Sequence, residues 1–483
     1  MHSSRIGRKT LDSFAVLLSH FTSIGVGLVI PPVASRTMPD AKSEMGVFAL
    51  LMLIYSFASV LATGSLGSFA IWRQDLERAG KSTLYWLSLA LGLTTSGILV
   101  LLCFPITAWL AIPAWRFGLM AMAISCIPLS WSGVATSILR KHHRFGTVLA
   151  VEIFRNASLI FISCSFLFAG FGVWGLILGV VIANLVAASS ATLAEGGPSF
   201  EFSSAIAKDA FTYCKGLAGF NCVNYWSRNL DNLLVGKFYG DSVLGSYSIA
   251  YRMMVLPIRL AGTVFGGLLL PYLAPIQDDH IVLRKKLLQV VQATGLLIIP
   301  LMTLFWLERK HIIDWYLQPG WEDTIKILGI LVPVGMSQLL ISPLGICYQL
   351  SGRTTRLFWV GIFNSSVVAI GFVVGLLGDL HWFVVVYSVV NIILLYPTVH
   401  FSFSCVGGRF SEWLRSVLPF AAIPLCCYLI DYSFMHDQNM LTDMFASVIL
   451  VACVSLLTTA LWLKAPMRFI LNQLMPYSKS RIA

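Results

Sequence analysis

Apolar runs of about 20 residues recur along almost the whole of this chain, each long enough to cross the hydrocarbon core of a bilayer as a helix. Within that core every backbone N–H and C=O must be satisfied inside the segment, which leaves helices as the fold open to runs of this length. The spans are expected near 13–34, 46–70, 83–104, 115–139, 148–170 and 172–194. After a polar connector around Glu195 to Asp209 they resume near 212–235, 243–270, 287–307, 324–350, 357–377, 381–403, 416–433 and 442–463. The expected fold is therefore all-α, a polytopic membrane protein with about 14 transmembrane helices. Only 11% of residues are charged and mean hydropathy is +0.81, whereas a soluble domain carries about 25% charged residues. No stretch is long and polar enough to make a separate soluble enzyme domain.

Loop charges test the count, because Lys and Arg collect on the cytoplasmic side. With the N-terminus inside, twenty-one basic residues fall in the cytoplasm, among them Arg5, Arg73, Arg78, Lys81, Arg140, Lys141, Arg144, Lys208, Arg284 and Arg353. Arg36, Lys42, Lys237, Arg309 and Lys310 fall outside. The asymmetry persists in the second half only if the seventh run crosses the membrane despite Lys215, Arg228 and Asp231. Both termini are then cytoplasmic, and the net charge of +11 is a topology signal rather than a sign of nucleic-acid binding. The first run exceeds the h-region of a cleavable signal, so it is read as a retained span. The ten cysteines lie almost all in apolar runs, without CxxC spacing or histidine partners, and imply neither a disulfide framework nor a metal site.

The chain resembles itself at an offset of 199 residues: Gly46-Val47-Phe48 aligns with Gly245-Ser246-Tyr247, Leu61-Ala62 with Leu260-Ala261, and Gly67 with Gly266. A second echo pairs Arg144-Phe145 with Arg356-Leu357, and Trp174 with Trp382. These matches describe two parallel six-helix lobes, residues 1–196 and 197–403, with two further helices and a cytoplasmic tail in 404–483. Parallel repeats commonly hold substrate between the halves.

Charge inside the spans is costly, at least about 2.5–3.5 kcal/mol for a residue at the helix centre, so it usually faces a watery cavity. On the seventh span Asn221, Asn224, Arg228, Asp231 and Asn232 recur at spacings of three and four and form one polar stripe. Arg228 and Asp231 are placed to pair along the helix. The fifth span repeats the device with Glu152 and Arg155, joined by Asn156. On the eighth, Arg252 and Arg259 share a face with no acid on their helix to neutralise them. Lys215 lies off the stripe; it is a further candidate substrate contact, with snorkelling as the alternative reading. Each acid–arginine pair has a structural reading as a clamp between helices; Arg252 and Arg259 point instead to an absent anion.

The run from Asn224 to Phe238, continuing through Leu244 to Arg252 and on to Leu256-Pro257, resembles the central segment of Wzx-type flippases of bacterial polysaccharide synthesis, in particular the branch containing the colanic acid flippase. That family belongs to the multidrug/oligosaccharidyl-lipid/polysaccharide exporter superfamily. The resemblance implies a bacterial inner-membrane protein that moves an undecaprenyl-pyrophosphate-linked oligosaccharide repeat unit from the cytoplasmic to the periplasmic leaflet for exopolysaccharide, O-antigen or capsule synthesis. It also implies membrane lipids, a polysaccharide polymerase and export machinery as partners. Arg252, Arg259 and Arg228, with Arg155 from the first lobe, would meet the pyrophosphate, since a guanidinium fork donates two hydrogen bonds to it at once. Asn221, Asn224 and Asn232 would bind sugar hydroxyls. No cofactor is expected, and no GxxxxGK[ST] sequence is present. Glu152 and Asp231 are the candidate sites for coupling to a proton or sodium gradient, a choice the sequence leaves open.

Two rival readings remain. A drug or cation exporter of the same superfamily would favour intramembrane acids over the arginines found here. An integral-membrane polymerase or ligase would need a larger external loop than the longest expected, Glu308 to Asp323. The expectation is a transporter and not an enzyme.

Overall fold

The computed structural model describes residues 2–434 and 440–462, and among them every regular element is helical. The basic residues Lys464, Arg468, Lys479 and Arg481, and the tail expected around them, lie outside the described residues. The packing separates into two compact units, divided after Ser248.

The first unit contains α1 (His2–Thr37), α2 (Ala41–Thr63), α3 (Leu66–Trp72), α4 (Arg78–Trp109), α5 (Arg116–Ile124), α6 (Cys126–Lys141), α7 (Phe145–Phe168), α8 (Val173–Glu195), α9 (Ser204–Tyr239) and the first turns of α10 (Asp241–Leu273). The second continues with the rest of α10, α11 (His280–Leu307), α12 (Arg309–Leu317), α13 (Glu322–Ile341), α14 (Ile346–Leu350), α15 (Thr354–Gly375), α16 (Leu380–Phe403), α17 (Phe410–Phe434) and α18 (Met440–Trp462). Among the described residues, ten helical stretches are long and apolar enough to cross a membrane, with α2–α3, α5–α6 and α13–α14 each counting as one interrupted stretch. With α1, α9, α10 and α18 they match the fourteen spans expected. Helix starts are fixed by side-chain acceptors that satisfy the orphan first-turn N–H groups: Asp40 for Ser43, Asp279 for Ile281 and Val282, and Asp379 for Trp382.

In the first unit α7 and α8 form a tight hairpin, α1 packs on α7, and α2 is wedged among α4, α6 and α9. Because α9 packs on α2, α3 and α4, it groups with the first unit. The packing boundary after Ser248 thus lies one helix beyond the 196/197 boundary drawn from the repeat. The span formed by α2 and α3 is broken at Gly64 and Ser65, both left-handed with φ of 52° and 60°. Glycine takes that conformation without strain, whereas serine rarely adopts it. A Cβ on Gly64 would also come within 2.6 Å of Leu91. The α5–α6 span is interrupted at Ser125, where the buried Asn184 amide of α8 donates to Ser125 Oγ at 3.4 Å and to the Tyr55 hydroxyl at 2.6 Å.

The second unit is built on α11, which packs against α13, α17 and α18, with α16 joining α13 to α15. Gln338 Nε2 of α13 donates to Asn391 Oδ1 of α16 at 3.0 Å. Each unit thus contains an asparagine that ties one membrane helix to another, Asn184 of α8 at Ser125 and Asn391 of α16 at Gln338 of α13. Large apolar side chains such as Phe161 and Phe168 of α7 and Ile370 of α15 stand exposed, as a lipid-facing surface requires.

Candidate functional site

The polar stripe lies on α9, a helix of 36 residues that is about 54 Å long and so outreaches the roughly 30 Å hydrocarbon core. Ser203 caps its start by accepting the Ile206 N–H, and Gly240, at φ 92°, ends it before α10 begins. At its lower turns the stripe meets the broken span: Asn221 Nδ2 donates to Oγ of the left-handed Ser65 at 3.2 Å. Tyr225, beside the stripe, donates to the Leu53 carbonyl at 2.5 Å and so fixes α9 against α2.

Further along, the structure separates two residues that the spacing had paired. Asp231 is 3% exposed, and its carboxylate accepts the Tyr247 hydroxyl of α10 at 2.9 Å and the Asn232 amide at 3.2 Å. Arg228 is exposed and forms no ion pair among the described residues. The expected Arg228–Asp231 pair is thus not formed. Asp231 turns into the α9–α10 contact, where a neutral phenol satisfies it at less desolvation cost than a buried ion pair. Asn224 stays partly exposed with no hydrogen-bonding partner among the described residues. Of the three stripe asparagines it is the one free for a ligand, since Asn221 holds Ser65 and Asn232 holds Asp231. Lys215 is exposed six residues before the stripe's first asparagine, Asn221.

On α7, Glu152 lies between two arginines, 3.4 Å from Arg155 and 3.9 Å from Arg140 of α6. These distances and the partial exposure make weak pairs. Arg155 Nε is buried without a hydrogen-bond partner. Asn156, which shares this stretch of α7, is buried and donates to Thr22 Oγ1 at 3.0 Å and Ser23 Oγ at 3.3 Å of α1, a structural tie.

On α10, Arg252 and Arg259 are both exposed although they sit in the middle of a membrane helix, and each feels the other's charge. Arg252 meets no acid among the described residues; its titratable neighbour is Tyr316, on the short α12 outside the spans. Burial pushes the Tyr316 phenol up to about 12, against the opposing pull of Arg252. The phenol is therefore neutral at physiological pH and cannot serve as a counter-ion. An exposed, unneutralised guanidinium is stable at this depth only beside water or a bound anion.

Residues 41–326, more than half of the chain, match the family described as polysaccharide biosynthesis protein. The chain belongs to that family. The matched region of the polysaccharide biosynthesis family contains every residue of the stripe, both arginines of α10, and Glu152 and Arg155. Among its relatives is the lipopolysaccharide biosynthesis protein WzxC of Escherichia coli K12, 23% identical over 410 residues that make up 82% of each chain. Another is the succinoglycan biosynthesis transport protein ExoT of Rhizobium meliloti 1021, 23% identical over 356 residues, or 72% of this chain and 70% of that one. The fold is similar to that of a solved structure of lipid II flippase MurJ, itself described as inward closed, with a TM-score of 0.72 at 17% identity, over 95% of this chain and 100% of the other. An inward-facing multidrug transporter of the MATE family, from the MOP superfamily, matches at a TM-score of 0.56 and 14% identity, over 85% and 95% of the two chains.

A search for charge misses the polar residues of the second unit. Gln338 also reaches the Tyr387 hydroxyl at 3.3 Å, and Asn364 donates to Thr398 Oγ1 at 3.0 Å. An amide inside an apolar run is the signal that would have found them.

Proposed function

We propose that this protein is a multi-pass inner-membrane flippase. It carries an undecaprenyl-pyrophosphate-linked oligosaccharide repeat unit from the cytoplasmic to the periplasmic leaflet by alternating access, and both of its termini are cytoplasmic. The observation that carries the reading is Arg252: an exposed guanidinium within a membrane helix, beside a second arginine and a neutral phenol, with no acid to pair among the described residues.

Pyrophosphate is the anion such a site suits, because guanidinium forks bind it through paired charge-assisted hydrogen bonds. Arg259 shares the same helix as Arg252 and adds a second cation there. On α9, Arg228 is a further proposed phosphate contact, and the amide of Asn224 offers a donor and an acceptor to sugar hydroxyls. The polyprenyl tail stays in lipid. With the cell interior negative, exporting one uncompensated negative charge gains about 2.3 kcal/mol per 100 mV, so the anionic head moves electrically downhill. The relatives' roles in polysaccharide synthesis, and transport in the case of ExoT, agree with this cargo. The protein then acts by translocation alone and catalyses no bond change, with a polymerase and export machinery taking over its product. Of the two acids proposed for ion coupling, Glu152 keeps a partly exposed side chain that an ion could reach, whereas Asp231 is sealed against Tyr247.

Deletion of the gene in its host, followed by mass spectrometry of the extracted lipids, tests the reading. A complete polyprenyl-linked repeat unit should accumulate and stay protected from a probe added on the periplasmic side. An accessible unit would point to a polymerase or ligase, and no accumulation would point to a drug exporter.

A further inference from the structure

At the end of the first unit that carries Arg73, Arg140, Lys141 and Arg144, a polar cavity of about 460 Å³ opens between the start of α4 and the end of α8. Its volume lies within the roughly 300–1,000 Å³ of small-ligand sites. Arg78, Lys81, His142 and the segment Glu195 to Ser199 line it. The single acid in this lining is already spoken for: Glu195, its side chain 6% exposed, accepts the Tyr85 hydroxyl at 2.9 Å and lies 3.6 Å from Lys81. Arg78 is exposed and has no partner among the described residues. The cavity is thus cationic on balance.

Its wall is held in place. Ser199 donates its N–H to Ser82 Oγ at 2.7 Å, and Trp86 Nε1 donates to the Ser199 carbonyl at 3.2 Å. Gly196 and Gly197 turn the chain with φ of 107° and 70°, so no side chain narrows the mouth there. Beside it, Leu193 is 86% and Phe200 97% exposed, with Phe200 stacked on Trp86 at 6.1 Å. A free phosphate would need only the cationic cup. The apolar shoulder beside it, at the ends of two membrane helices, fits an acyl chain.

We propose that this cavity binds the phosphate group of an anionic phospholipid, with Arg78 and Lys81 as the phosphate contacts and Leu193 and Phe200 against the acyl chain. Basic pockets between membrane helices are a recognised way of holding such headgroups. None of the residues that line the cavity belongs to α9 or α10. The inference depends on the membrane location and not on the identity of the transported cargo; in the orientation proposed above, the cavity opens to the cytoplasmic leaflet.

The test uses the full-length protein, delipidated in mild detergent and titrated with phosphatidylglycerol, with phosphatidylcholine of the same acyl chains, and with inorganic phosphate, binding being read by native mass spectrometry. Phosphatidylglycerol should bind more tightly than phosphatidylcholine. Arg78→Gln should weaken it about fivefold, as expected for one interfacial cation, while Arg284→Gln in the second unit leaves it unchanged. Lys81→Gln should weaken it as well, and Arg78→Gln keeps the test sound if loss of the Glu195 partner impairs folding. Equal affinity for the two lipids, or Arg78→Gln binding like the wild type, would overturn the proposal. Arg78-dependent binding of inorganic phosphate without any preference between the lipids would assign the cavity to a free phosphate and overturn the lipid.

Discussion

Gly46 of α2 and Gly245 of α10 pack backbone against backbone. A Cβ on Gly46 would fall 1.7 Å from the Asp241 carbonyl oxygen, and one on Gly245 would fall 2.1 Å from that of Lys42. The contact is reciprocal, since each glycine meets the residue one helical turn before the other. Gly46 and Gly245, like Lys42 and Asp241, are 199 residues apart, the offset at which the sequence resembles itself. Small residues allow membrane helices to approach this closely. Ser43 Oγ adds a hydrogen bond to Asp241 Oδ2 at 3.0 Å.

Because each added methyl would meet main chain rather than a flexible side chain, Gly46→Ala and Gly245→Ala should force α2 and α10 apart. Overpacking of this kind costs about 1–3 kcal/mol. Acting on one state of a two-state carrier, it would shift the population by about 5- to 150-fold. Transport should fall while membrane insertion and protein level are retained, as measured by polysaccharide yield and immunoblot. Full yield from both variants would show that this crossing is dispensable to the working cycle.

Arg252→Ala should lower transport by about 10- to 150-fold, the range set by a charge-assisted hydrogen bond of roughly 1.5–3 kcal/mol. Arg259→Ala should act in the same direction, and the double variant should abolish transport. Since both side chains are exposed and Arg252 has no acid partner to strand among the described residues, the unfolding midpoint should stay near that of the wild type. Arg252→Lys should restore activity only in part, because an ammonium keeps the charge but loses the fork. Retained transport in the double variant would remove the anion site.

Asp231 is expected to behave as a structural residue. Asp231→Asn keeps an oxygen to accept the Tyr247 hydroxyl, and should leave transport and its response to the proton gradient intact. Tyr247→Phe, by contrast, removes a donor from a buried carboxylate and should cost about 1–3 kcal/mol of stability, read as a lower unfolding midpoint. Transport lost in Asp231→Asn at unchanged stability would return Asp231 to the list of coupling sites.

What could be read from the sequence was whatever has a one-dimensional signature. Apolar run length located the spans, and basic loop residues rescued the doubtful α9, whose own stripe hides it from any hydropathy criterion. The stripe and the Arg252–Arg259 face followed from helical spacing. Spacing, however, gives neighbours along one helix and not what the next helix offers. Asp231 therefore paired with Arg228 on paper and with Tyr247 in space. The interruption at Ser65 was equally illegible, because it depends on a left-handed residue that sequence alone does not mark. Gln338 and Asn391, 53 residues apart, meet only once α13 and α16 pack.

That last contact gives a prediction about how the second unit holds together. Gln338 and Asn391 are partly buried amides in lipid-spanning helices, and Asn391 also donates to the Tyr387 carbonyl at 2.8 Å, which fixes its rotamer and leaves its oxygen for Gln338. Hydrogen bonds between membrane helices average about 0.6 kcal/mol in double-mutant cycles and reach about 1.7. A cycle of Gln338→Ala and Asn391→Ala, read by denaturant unfolding in detergent, should give a coupling energy in that range. Asn184→Ala in the first unit should cost more than Asn391→Ala, because it removes at once the bonds that Asn184 donates to two buried hydroxyls, Tyr55 at 2.6 Å and Ser125 at 3.4 Å. Strict additivity of Gln338→Ala and Asn391→Ala would show that the two amides, though in contact, contribute nothing jointly to the packing of α13 on α16.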